Sequence, residues 1–172
     1  MPTCTSKPIE RVYVVYKRSV YQKYVLDLGN STLSKLIKQK HPSTKTLFYT
    51  YDQHRKSLQL IRDVLNHYKI KYNISSRSIS KNFSGYDLVI TVGGDGTFLR
   101  TSHYIDDQLM LGINSVPKFS VGAWCSITYK DFAKKFRDIL AGKLRVRSYH
   151  RMTLTLNGHT LPIEPVNDVL FC

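Results

Sequence analysis

Apolar and polar positions along this 172-residue chain fall into blocks that switch between two periods. Residues 11–17 (RVYVVYK) are β-branched and aromatic, the composition of a buried first strand. Residues 21–28 and 31–40 carry helical spacing, parted by Gly29-Asn30, with Leu33, Leu36 and Ile37 on one face. A longer helix is expected over about 52–68. There Leu58, Ile61, Val64, Leu65 and Tyr68 recur at steps of three and four and should point into a core. Residues 71–74 make a short candidate strand. Residues 86–92 (YDLVITV) form the clearest buried strand, and a glycine-rich turn follows at once, with a helix expected over 97–103. Residues 108–113 (QLMLGI) predict another strand. Residues 130–141 predict an amphipathic helix with Phe132, Phe136, Ile139 and Leu140 inward and Gly142 as its C-terminal cap.

Strands without polar alternation belong in a parallel sheet covered on both faces. The expected fold class is therefore α/β: an open, mostly parallel sheet with flanking helices, followed by the opening strands of a β-rich second domain. The texture changes after Lys143. Residues 144–156 alternate, with Met152, Leu154 and Leu156 on one side; Asn157-Gly158 is a hairpin signal, and 166–172 predict a further strand. The division is 1–143 for an N-terminal nucleotide-binding domain and 144–172 for the start of a C-terminal β domain. Twenty-nine residues cannot build a sandwich core, so the tail is expected to dock on the first domain, pair with another chain or belong to something longer.

Composition narrows the function classes. A hydrophobic fraction of 42% with 22% charged residues suits a globular domain. Lys and Arg number 26 against 12 Asp and Glu, a net charge of +14, and residues 1–81 carry 16 basic side chains against 4 acidic ones. Such a field favours anionic partners. The basic residues are nonetheless spread singly, as on a solvated helix face, and nucleic acid is disfavoured as the partner. Cys4, Cys125 and Cys172 are far apart, a pattern of reduced thiols that suits a cytoplasmic location. The six histidines show no metal-ligand spacing, which argues against a metal site built by protein alone. No signal-peptide core and no 18-residue apolar stretch is present, so no membrane partner is expected.

The chemistry concentrates in Gly93-Gly94-Asp95-Gly96-Thr97, between strand and helix. Glycines permit positive φ and remove Cβ atoms, so main-chain N–H groups can approach a phosphate, and the following helix aims its positive end at the same point. Asp95 would repel a phosphate. A carboxylate there suits accepting a proton from an attacking hydroxyl or holding a nucleotide's Mg²⁺. Thr97 could cap the helix or donate to phosphate. A plain tight turn with a cap is the bland alternative, and the loop fits neither the Walker pattern nor G-x-G-x-x-G.

G-G-D-G-T after a buried strand resembles the signature shared by NAD kinases, diacylglycerol and sphingosine kinases and, more distantly, phosphofructokinases. Leu111-Gly112-Ile113-Asn114 is similar to the L-G-I-N element of NAD kinases, Arg151 resembles the arginine opening that family's second domain, and Asn167-Asp168 resembles its Asn-Glu motif. Residues 115–124 (SVPKFSVGAW) look like the longer-spaced variant of the branch containing the mitochondrial enzymes. The resemblance implies an NAD kinase / diacylglycerol kinase-like fold and ATP-dependent phosphorylation of the adenosine-ribose 2′-hydroxyl of NAD, with Mg²⁺ or another divalent cation. It implies Asp95 as catalytic carboxylate; Gly93, Gly94, Gly96, Thr97 and Asn114 around the phosphates and nucleotide; Asn167 and Asp168 on NAD ribose hydroxyls; and a homo-oligomer, dimer or tetramer. Arg100 and Lys118 are further candidates for phosphate contact, each also readable as an ordinary surface residue. A lipid or small-molecule kinase with the same loop, or a non-catalytic nucleotide-binding module, stays open as an alternative.

Overall fold

A computed structural model describes residues 8–76, 82–143, 145–162 and 164–167. Five parallel strands make one sheet in the order β2-β1-β3-β4-β5. These are β1 (Arg11–Tyr16), β2 (Lys71–Ser76), β3 (Leu88–Gly93), β4 (Leu109–Asn114) and the short β5 (Ile127–Thr128). All six residues of β3 are buried, as its unbroken apolar run predicts for a central strand.

The pleat sends alternate side chains to opposite faces. On one face Val12, Val14, Leu88, Ile90, Val92, Leu111 and Ile113 pack with Ile61 and Leu65 of α2 (Lys45–His67) and Phe132 and Phe136 of α4 (Phe132–Leu140). On the other, Val15, Val89, Phe83 and Ile105 form a smaller cluster, and α3 (Asp95–Ser102) lies against β1, β3 and β4. Gly142, past α4, has φ +66°, the left-handed cap its position predicts.

Three expectations need adjusting. Residues 21–28 were expected as a helix, and Tyr21–Asp27 winds as a π-helix ahead of α1 (Ser31–Lys38), which Asn30 caps by accepting from Leu33 N–H at 2.8 Å. The long helix begins at Lys45, well before residue 52. A turn at Pro42–Thr44 runs straight into it, with the Thr44 hydroxyl on His41 O at 2.7 Å. The added turns escape an apolar-stripe reading because Phe48 and Tyr49 stay exposed and pack on other surface rings, Tyr21 and Phe119.

The third concerns the tail. Among the described residues of the tail, the strands are short: Thr155–Leu156 (β6) and His159–Thr160 (β7) pair, antiparallel, about Asn157-Gly158 with φ +50° and +80°. Met152 and Leu156 are exposed. The tail is tied down by Arg151, which donates to Ile105 O, and by Tyr149 against Trp124. Most of the strand expected over 166–172 lies outside the described residues.

Candidate functional site

The order β2-β1-β3-β4-β5 reverses direction between β1 and β3. From β1 the chain crosses to one flank, and β3 lies on the other. In open α/β sheets, ligands occupy the crevice at the carboxyl ends of the strands flanking such a switch point. The glycine loop leaves β3 at that spot.

Gly93, Gly94 and Gly96 are not among the positive-φ glycines; Gly94 is extended at φ −126°, ψ −167°. What the loop needs is the absence of Cβ. A Cβ on Gly93 would fall 2.5 Å from Thr97 Oγ1, and one on Gly94 2.5 Å from Ser120 Oγ. The turn is thus pinched between the first turn of α3 and the loop that follows β4. Gly94 is the N-cap of α3 and no side chain caps that end, so the positive end of the helix stays open beside the strand terminus. Thr97 is buried, with its hydroxyl unpartnered against Gly93, where it supports the turn from beneath.

Asp95, the first residue of α3, reaches across to residues 123 and 124. Its Oδ2 accepts from Ala123 N–H at 3.0 Å and Oδ1 from Trp124 N–H at 2.7 Å. Each oxygen keeps a lone-pair position. The carboxylate is therefore oriented but still able to take a proton. Asn114, at the end of β4, shapes the same loop: Nδ2 donates to Ser120 O at 2.8 Å, and Oδ1 accepts from Val116 N–H at 3.1 Å. Gly122, φ +66°, lies against that amide so closely that a Cβ would sit 2.5 Å from Nδ2.

Beside Asn114 a cavity of about 350 Å³ is lined by Gly122, Cys125, Thr128, Asp131 and Lys135. Burial, and then the Asp95 charge, push the Cys125 thiol up to about 11, so it stays protonated and is no nucleophile. Among the described residues no three His, Cys, Asp or Glu side chains gather to hold a metal ion. Asp95 is the single carboxylate of the loop 93–97.

Gly93, Gly94, Asp95, Thr97 and Asn114 thus come together. Arg100 is exposed in the last turn of α3, Lys118 lies over the Tyr49 and Phe119 rings at 5.5 and 5.6 Å, and Asn167 is exposed in the tail. Asp168 lies outside the described residues.

Two neighbours escaped the sequence reading. His54 of α2 is buried, with Nδ1 hydrogen-bonded to Ser115 Oγ at 2.9 Å, while Ser115 N–H donates to Gly93 O at 3.0 Å and Ser57 Oγ donates to Ser115 O at 3.1 Å. Burial drives the His54 pKa from 6.5 to about 4; the Lys17 main chain opposes this, and the Lys17 charge adds to it. The stripe Leu58–Ile61–Leu65, extended back one helical turn, lands on His54 and would have flagged it. The second neighbour is Lys17, one residue past β1, whose N–H donates to Val92 O at 3.0 Å.

Comparison with known proteins fits this geometry. A family model described as the ATP-NAD kinase N-terminal domain matches residues 10–144. An NADH kinase of Arabidopsis thaliana is 33% identical over 125 residues, 63% of this chain and 39% of that protein. A probable NADH kinase of Oryza sativa subsp. japonica is 31% identical over 146 residues, 73% of this chain and 45% of that protein. The mitochondrial NAD kinase 2 of Homo sapiens is 29% identical over 168 residues, 91% of this chain and 38% of that protein. The chain therefore spans less than half the length of each of these relatives. An NAD kinase from Archaeoglobus fulgidus, solved with ATP, overlays at TM-score 0.42 and 17% identity over 76% of this chain and 36% of that one, too slight a likeness to build on.

Proposed function

This chain belongs to the ATP-NAD kinase family, and we propose that it carries the phosphate-binding and catalytic part of an enzyme that phosphorylates the adenosine-ribose 2′-hydroxyl of NAD with ATP, giving NADP. The observation that supports this best is Asp95. A carboxylate stands fixed by two main-chain N–H groups, at 3.0 and 2.7 Å, beside a Cβ-free bend at the switch point of a parallel sheet. The 2′-oxygen attacks the γ-phosphorus, the bond to the β,γ-bridging oxygen breaks and ADP leaves, and the hydroxyl proton passes to Asp95. Main-chain groups of Gly93, Gly94 and Gly96 and the open end of α3 face the phosphates, Thr97 braces the bend, and Asn114 keeps the covering loop in place. A divalent cation carried by the nucleotide supplies neutralisation of phosphate charge.

In this reading residues 1–143 are the nucleotide-binding domain, and 144–172 open a second domain whose Asn167 and Asp168 contribute to NAD ribose recognition. A homo-oligomer forms part of the same proposal. The test is NADP formation by the intact protein from NAD and ATP. Asp95→Asn should lower kcat by about 10²-fold or more, with unchanged far-UV circular dichroism. Wild-type turnover in that variant would remove Asp95 from the chemistry, and phosphorylation of diacylglycerol but not NAD would move the protein to the lipid-kinase alternative.

A further inference from the structure

We infer that Lys17 grips the polyphosphate of the phosphoryl donor, on the β1 side of the glycine loop and across from Asn114; the inference deepens the phosphoryl-transfer reading and rests on it. Lys17 is the first residue beyond β1, and its N–H bond to Val92 O at 3.0 Å fixes it beside the end of β3. Its Cβ lies 3.3 Å from where a Cβ of Gly93 would stand, so the side chain starts out against the first glycine of the loop. It therefore sits at the switch point between β1 and β3, where the crevice of an open sheet opens.

Its charge is uncommitted. Arg18, the next residue, is paired with Asp27. Among the described residues no carboxylate pairs with Lys17, and the side chain is exposed. The two cations singled out from sequence are placed less well. Arg100 is five residues along α3 from Asp95, about 7.5 Å away along the axis at 1.5 Å per residue, and at the wrong end of the helix dipole. Lys118 covers two aromatic rings. The loop itself contributes neutral N–H groups and one anion, Asp95. A ligand with three or four negative charges needs a formal positive charge beside them, and an ammonium on a flexible stem supplies it as a point charge.

Calorimetric titration of the chain with ATP, inorganic tripolyphosphate and AMP tests this, using wild type, Lys17→Gln and Lys17→Arg. Lys17→Gln should weaken ATP and tripolyphosphate by about tenfold, the size of one lost hydrogen bond to a charged group, and AMP by much less. Lys17→Arg should recover most of that loss. Equal affinities of wild type and Lys17→Gln for both polyphosphates would overturn the inference. So would an equal loss for AMP, or a wild-type chain that binds neither polyphosphate. The two readings fail separately. Polyphosphate binding that needs Lys17 in a protein forming no NADP retires the kinase, whereas an NADP-forming protein whose KM for ATP ignores Lys17→Gln retires the grip.

Discussion

The two faces of the sheet are built from different materials. Against α2 and α4, large side chains interlock: Ile61, Leu65, Phe132 and Phe136 are fully buried over Val12, Val14, Ile90 and Val92. Toward α3 the sheet offers Thr91 and Gly112, and the helix answers with Thr97, Thr101 and Ser102. The hydroxyls of Thr101 and Ser102 return to their own helix, on Thr97 O at 2.8 Å and Leu99 O at 2.7 Å. A Cβ on Gly112 would fall 2.7 Å from Trp124 O and 2.9 Å from the Cys125 Cα. Small residues there allow main chain to lie on main chain. That close approach brings residues 123 and 124 within reach of the Asp95 carboxylate. Most of the stability is assigned to the first face, where the larger apolar cluster lies; the second keeps the smaller cluster of Val15, Phe83, Val89 and Ile105 and gives up apolar volume beside α3 to bring loop, helix and strand end within one site.

The sharpest way to break this division is on the thick face. Phe136 has no solvent exposure and touches the rings of Phe132 and Tyr68, at 5.2 and 5.9 Å between centroids. Phe136→Ala should cost about 3–5 kcal/mol in urea unfolding, while the folded fraction keeps its affinity for ATP. A loss under about 1 kcal/mol would mean that the α2/α4 face does not carry the stability assigned to it.

The same contrast explains what could be read from the residues beforehand. β3 was legible because a central parallel strand must be apolar on both sides, and the loop after it because glycines have few other reasons to cluster between a strand and a helix. The first turns of α2 were not, since Phe48 and Tyr49 break the stripe by staying outside. Alternation in the tail predicted strands, but a strand requires a regular partner ladder, and beyond the hairpin tip the described residues offer only scattered main-chain bonds such as Leu161 N–H to Leu154 O and Met152 N–H to Pro165 O. At the site, Asp95 stood out in the sequence as a carboxylate between glycines, but its anchoring by Ala123 and Trp124 did not, because that depends on how loop 115–126 folds back. Lys17 carries no local signal at all; its meaning comes from strand order. His54 hid in an apolar stripe as the polar member that a helical repeat treats as noise.

His54 gives a smaller, pH-dependent test at the edge of the thick face. Its folded pKa is about 4 against 6.5 unfolded. Well above pH 6.5 both states are neutral and the group adds no pH dependence. As pH falls from 6.5 toward 4, the unfolded imidazole binds a proton that the ring, buried beside Tyr16 and Ser115, refuses. Stability should therefore drop by about 2–3 kcal/mol across that window. His54→Gln, measured by urea unfolding at successive pH values, should flatten the slope there. An unchanged slope would assign the loss to other groups.

The smallest effect tests the thin face. Thr91 is buried in β3, and its Oγ1 has no hydrogen-bond partner. A buried, unpaired hydroxyl is a desolvation cost without return, and valine keeps the branched shape and the strand preference while removing it. Thr91→Val should leave the fold intact and raise stability by up to about 1 kcal/mol, read as a higher urea midpoint at constant slope. A fall of similar size would show that the hydroxyl is engaged, and that the face toward α3 holds together by polar contacts more than by the close main-chain approach its small residues allow.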